Sequence, residues 1–106
     1  MELDKDLQAR QEARTLAKAA EAAQFQLREF PQEKLDAIVE AVAKAFSKEA
    51  AMLASLAVKE TGFGNAEDKI IKNRFASEQV AEAIRGMKTV GILREIPGKK
   101  VWEIGV

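Results

Sequence analysis

After Met87 the spacing of apolar residues changes from a helical period near 3.6 to a strand period of 2, which limits what this chain can fold into. Thr89 to Ile96 and Lys100 to Val106 are runs rich in β-branched residues, and Pro97-Gly98 stands between them. Proline presets position i+1 of a tight turn and glycine is free to take position i+2, so the two runs read as a hairpin. Trp102, Ile104 and Val106 would share one face of it. A two-stranded hairpin is marginal in water, and its open edges call for a third strand from more chain or from a second subunit. Everything before Met87 has helical spacing. The expected fold class is therefore mainly α with a C-terminal β-hairpin, and the chain reads as a fragment of something larger.

The sharpest boundary among the helices lies in Lys59 to Phe75, KETGFGNAEDKIIKNRF. Gly62 follows the apolar positions Leu53, Leu56 and Ala57 and predicts a helix stop, because glycine takes the left-handed conformation without a Cβ clash. Asn65 predicts the cap of the next helix, and Glu67 and Asp68 place negative charge in its first turn. Gly62-Phe63-Gly64 is not half of a dinucleotide loop. Such a loop follows a strand, whereas a helix precedes this one, and the acidic residues after it would repel a pyrophosphate.

Upstream, Asp4 or Asp6 can cap a long helix with a seam of Ala9, Ala13, Leu16, Ala20, Ala23, Leu27 and Phe30. Small residues let a neighbouring helix approach closely, while Arg10, Arg14, Lys18 and Glu21 lie off the seam. An ordinary surface helix packed on its own domain is preferred over a targeting helix that docks enzymes inside bacterial shells. Pro31 closes this helix near Arg28 or Glu29 and opens the next. Leu35, Ile38, Val39, Val42, Ala45 and Phe46 then predict a wide buried face. Ser47 can interrupt or re-cap before a short helix from Lys48 to Glu60 with Met52, Leu53 and Leu56 inside. The helix that starts at Asn65 would bury Ile71, Phe75, Val80, Ile84 and Met87, with Gly86 close to its end.

Composition narrows the function classes. With 106 residues there is at most one domain. Seventeen basic and 17 acidic residues balance, which argues against nucleic acid or an anionic membrane as partner. No apolar run approaches the ~20 residues of a membrane span, and no secretory leader opens the chain, so the expected location is cytoplasmic. Cysteine and histidine are both absent, so there is no thiolate nucleophile, no imidazole base and no expected metal site. Carboxylates, lysines and hydroxyls remain, and no two have a spacing that suggests catalysis. Taken alone, the chain does not look like a complete enzyme.

From Lys59 onward the sequence resembles the coenzyme-A-acylating aldehyde dehydrogenases, including the aldehyde half of the bifunctional aldehyde–alcohol dehydrogenases. The matching residues are Glu60-Thr61-Gly62, Glu67-Asp68-Lys69, Lys72-Asn73, Phe75-Ala76-Ser77-Glu78 and Lys88-Thr89-Val90-Gly91. Lys100 to Val106, KVWEIGV, resembles the strand that leads into the family's dinucleotide fold. Pro31 to Leu56 fits more loosely, and Met1 to Phe30 matches in pattern only.

The resemblance implies the N-terminal portion of the α/β aldehyde dehydrogenase fold. Residues 1–87 would be a helical segment of the nucleotide-binding domain, and 88–106 the hairpin of the oligomerisation arm. It also implies a cysteine thiohemiacetal, hydride transfer to NAD or NADP, and release of the acyl group to coenzyme A. The catalytic cysteine and the cofactor-holding loops match later segments of the family, so this chain is expected to carry no catalytic, cofactor-binding or metal residue and to bind no cofactor alone. Lys69, Lys72, Asn73 and Arg74 could touch a coenzyme A phosphate, but a solvated helix face is the preferred reading. The implied partner is a second copy, in a homo-oligomer formed through the 89–106 hairpin. The competing reading, from another class, is a non-catalytic helical assembly or packaging module.

Overall fold

The cap residues set the order of elements in the computed structural model, which describes residues 2–105. Met1 and Val106 lie outside the described residues, and with Val106 goes the expected last member of the hairpin's apolar face. The chain divides into two compact units, one ending at Phe30 and one beginning at Pro31.

The first unit is a single helix, α1 (Lys5–Leu27). Asp4 is its cap residue by backbone geometry, with no side-chain cap bond. All of α1 is exposed except Leu27, which is half-buried, and the alanines of the predicted seam are among the exposed residues. At its C-terminal end the Arg28 guanidinium stacks over the Phe25 ring at 4.8 Å, and Arg28 pairs with Glu29 at 3.6 Å.

The second unit opens at Pro31, whose carbonyl accepts from the amides of Lys34 and Leu35 at 3.1 and 3.2 Å. Helix α2 (Gln32–Lys48) follows, then α3 (Ala50–Thr61) after a single non-helical residue, Glu49. Ser47 does not re-cap here as the sequence suggested. Its hydroxyl donates instead to Glu78 at 2.6 Å, and the Glu49 carbonyl starts α3 by accepting from Leu53 at 2.9 Å.

The end of α3 follows the sequence expectation. Gly62 is left-handed at φ +72°, and its amide donates to the Val58 carbonyl at 2.8 Å. Asn65 then caps α4 (Ala66–Arg74), its side-chain oxygen accepting from the Asp68 amide at 2.8 Å. No atom lies within 4 Å of where a Gly62 Cβ would stand, so a substitution there meets backbone strain alone. Gly62→Val should therefore destabilise the corner by about 1 kcal/mol or more. An unchanged denaturation midpoint would contradict the left-handed assignment.

Beyond Arg74 the helix is not the continuous α-helix that was expected. Phe75–Val80 form a π-helical segment before α5 (Ala81–Ile84) resumes α geometry. The Ser77 hydroxyl donates to the Asn73 carbonyl at 2.7 Å, competing for the acceptor that Ser77's own amide would use in an α-helix.

Burial is concentrated where α3 meets α4. Ala50 and Ala54 are 1% and 0% exposed, and Asn73 is 6% exposed with its amide donating to the Ala50 carbonyl at 3.0 Å. This corrects the expected inner face of α3. Leu53 is half-buried, whereas Met52 and Leu56 are exposed. Two small alanines allow α4 to approach closely, and that close approach turns the larger side chains outward. The wide faces of α2 and of the helix after Asn65 are likewise not buried. Ile38, Val39, Val42, Phe46, Ile71, Phe75, Val80, Ile84 and Met87 are all exposed.

Strands β1 (Gly91–Ile96) and β2 (Val101–Gly105) form an antiparallel pair. Gly98 sits at φ +79°, and the Lys99 amide points back to the Ile96 carbonyl at 3.4 Å, which fits the turn expected from Pro97-Gly98. Lys100, at φ +51°, is a left-handed residue that the sequence did not announce. Ile92 pairs with Ile104 and Arg94 with Glu103, so Leu93 is an extra residue that bulges β1. Trp102 and Ile104 are 58% and 55% exposed.

Candidate functional site

Two features of the second unit stand out, an apolar groove and the hairpin. The groove runs between α2 and the π-helical segment with α5. It encloses about 400 Å³ and is lined chiefly by Ile38, Val42, Phe46, Val80 and Ile84. A neighbouring hollow of about 590 Å³ continues it toward Leu35, Met87 and Thr89. The walls follow from sequence spacing, since residues three and four apart share one helix face.

Polar groups stitch the rim. Arg85 reaches Glu40 on α2 at 3.2 Å and Glu82 at 2.9 Å, and Lys44 lies 3.8 Å from Glu40. Arg85, Lys44 and Glu82 are largely solvated and Glu40 is half-buried, so each pair contributes little to stability. On the hairpin, Arg94 pairs with Glu103 across the strands.

Among the described residues, no group of three or more carboxylates is placed to hold a metal ion, and no buried side-chain nitrogen or oxygen lacks a hydrogen-bond partner. The glycine turn at 62–64 joins two helices, unlike the strand-to-helix turn of a dinucleotide fold. The four residues weighed as coenzyme A phosphate contacts do not form one exposed cluster. Asn73 is turned inward onto the Ala50 carbonyl, and Lys69 is half-buried with its side chain beside Gly64, while Lys72 and Arg74 are exposed. Among the described residues, no helix is long and apolar enough to cross a membrane.

No protein-family model matches the chain. Individual proteins do. The bifunctional aldehyde-alcohol dehydrogenase AdhE of Escherichia coli is 42% identical over 84 residues, 79% of this chain. The acetylating succinate-semialdehyde dehydrogenase of Clostridium kluyveri is 39% identical over 82 residues, 77% of this chain. An acetylating aldehyde dehydrogenase of known structure, from Geobacillus thermoglucosidasius, superposes with a TM-score of 0.77 over 95% of the chain at 50% identity.

The chain is homologous to a segment of the acylating aldehyde dehydrogenases. It spans 9% and 18% of the two curated relatives and 22% of the solved one. The match is to the N-terminal portion of those enzymes, as the run Glu67 to Glu78 suggested. In a small helical unit with few buried residues, faces such as Val42, Phe46 and Val80 would be costly to leave in water.

Proposed function

We propose that this chain is the scaffold part of an NAD(P)-dependent, coenzyme-A-acylating aldehyde dehydrogenase that converts a short, acetaldehyde-like aldehyde to its acyl-CoA. The observation that carries the reading is homology across most of a chain that contains no cysteine. The acyl transfer implied by the family needs a thiolate to form the covalent intermediate, and this chain cannot supply one. Its role is then to shape and cover. Residues 1–87 form a helical segment on the outside of the nucleotide-binding domain, and the hairpin from Lys88 onward belongs to an arm that joins subunits into a cytoplasmic homo-oligomer. The open hairpin edges and the exposed Trp102 and Ile104 support that assignment.

The test exchanges this chain for the corresponding segment of the Geobacillus enzyme. The chimera should reduce NAD in the presence of aldehyde and coenzyme A within about tenfold of its parent, a difference of roughly 1.4 kcal/mol in barrier. Purified alone, the 106-residue chain should show no such activity. Ile104→Lys in the chimera should lower the sedimentation mass. Activity of the isolated chain above a mock purification would overturn the scaffold reading, as would a soluble, parent-like oligomeric chimera without turnover. An unchanged mass with Ile104→Lys would remove the hairpin from the interface.

A further inference from the structure

The hairpin is tethered to its helical unit in an unusual way. No Cα atom of either strand comes within 8 Å of a Cα atom in α2 to α5. Among the described residues, Gln32, the first residue of α2, makes side-chain hydrogen bonds to the hairpin's base. Its Oε1 accepts from the amides of Thr89 and Val90 at 2.8 and 3.3 Å. Its Nε2 donates to the Thr89 hydroxyl and to Asp36 Oδ1, both at 2.9 Å. Gln32 is thus bonded to main chain and side chain 57 and 58 residues away.

The chemistry of this contact is specific. A primary amide offers an acceptor and two donors in one plane, which is what two backbone N–H groups and a hydroxyl require. Asp36, one helical turn on, orients it. A carboxylate can only accept, so it holds Nε2 on its own side and turns Oε1 toward Thr89 and Val90. The point that is gripped also bears on both strands. Thr89-Val90 leads directly into β1, and the Thr89 carbonyl lies against Gly105 at the end of β2, so closely that a Cβ there would stand 2.1 Å from it.

We propose that Gln32, oriented by Asp36, is a latch that sets the direction of the hairpin relative to the helical unit. It is a positioning residue: it makes the arm point one way without being part of the surface the arm presents. The hairpin pairs with itself whether or not the latch is closed, so opening it frees the arm's direction and leaves its strands intact.

Because the chain has no native cysteine, Ala41→Cys on α2 and Lys99→Cys at the hairpin turn can carry a pair of spin labels. Pulsed distance measurement should give a narrow distribution in this parent and one at least about twice as wide in Gln32→Leu, since the lost bonds are each worth only a few-fold in population. Gln32→Glu keeps the acceptor for both amides but sets a second carboxylate against Asp36, whereas Gln32→Glu with Asp36→Asn restores a donor to that contact and should stay narrow. Helix content by circular dichroism should be the same in the parent, Gln32→Leu and the double variant. A Gln32→Leu distribution as narrow as the parent's would overturn the latch, and so would the double variant as broad as Gln32→Leu. Hydrogen exchange supplies an arm that needs no variant. The Thr89 and Val90 amides should exchange at least about tenfold slower than in an unstructured peptide. Unprotected exchange at both would also overturn the proposal.

Discussion

Gly105→Ala should open the base of the hairpin, at a cost of about 1–3 kcal/mol, the range for forcing an atom into occupied space. A Cβ built on Gly105 meets the Thr89 carbonyl oxygen at 2.1 Å, its carbon at 2.6 Å and the Val90 nitrogen at 2.9 Å. All three are backbone atoms, so no side chain can swing aside to relieve the contact. Either β2 must shift away from Gly91, its partner in the pairing, or the 89–90 segment must leave Gln32. Hydrogen exchange should show loss of protection beginning at the Gly91 and Gly105 end, while the pairs nearer the turn, Glu95 with Trp102 and Ile96 with Val101, are held longest. Equal protection throughout in Gly105→Ala and the parent would mean that Thr89 does not approach β2 in solution.

Asn73→Ala should destabilise the α3–α4 contact by about 1–3 kcal/mol, because it removes a buried donor from the Ala50 carbonyl and leaves a gap. Asn73→Asp should be worse than alanine. An ionised carboxylate cannot donate, so it would set negative charge against the Ala50 carbonyl in a position 6% exposed. The order parent, alanine, aspartate in chemical denaturation checks this. Aspartate equal to the parent would mean that the side chain reaches solvent.

Punctuation was the most legible part of the sequence. Gly62, Asn65, Pro31 and Pro97-Gly98 act through their own backbone or their nearest neighbours, so their roles needed no knowledge of the fold. The π-helical segment was not legible as a break, since Phe75 to Val80 carries no glycine or proline, although Ser77 four residues after Asn73 is the pattern that accompanies it. Gln32 was invisible for another reason. As the residue after Pro31 it reads as an ordinary first-turn position, and its partners at 89 and 90 are reached only through the fold.

What the sequence determined by itself, then, was local: where helices begin and end, that a hairpin follows them, and that no thiol or imidazole is present for chemistry. Burial was decided by tertiary structure. Hydrophobic periodicity identifies an apolar face but not its partner, so the stripe of Ile38, Val42 and Phe46 looked like a core face and stands exposed. Meanwhile Ala50, Ala54 and Asn73, which no hydropathy pattern favours, became the buried centre, because helices approach most closely where side chains are small and a buried amide can bond a carbonyl across the gap.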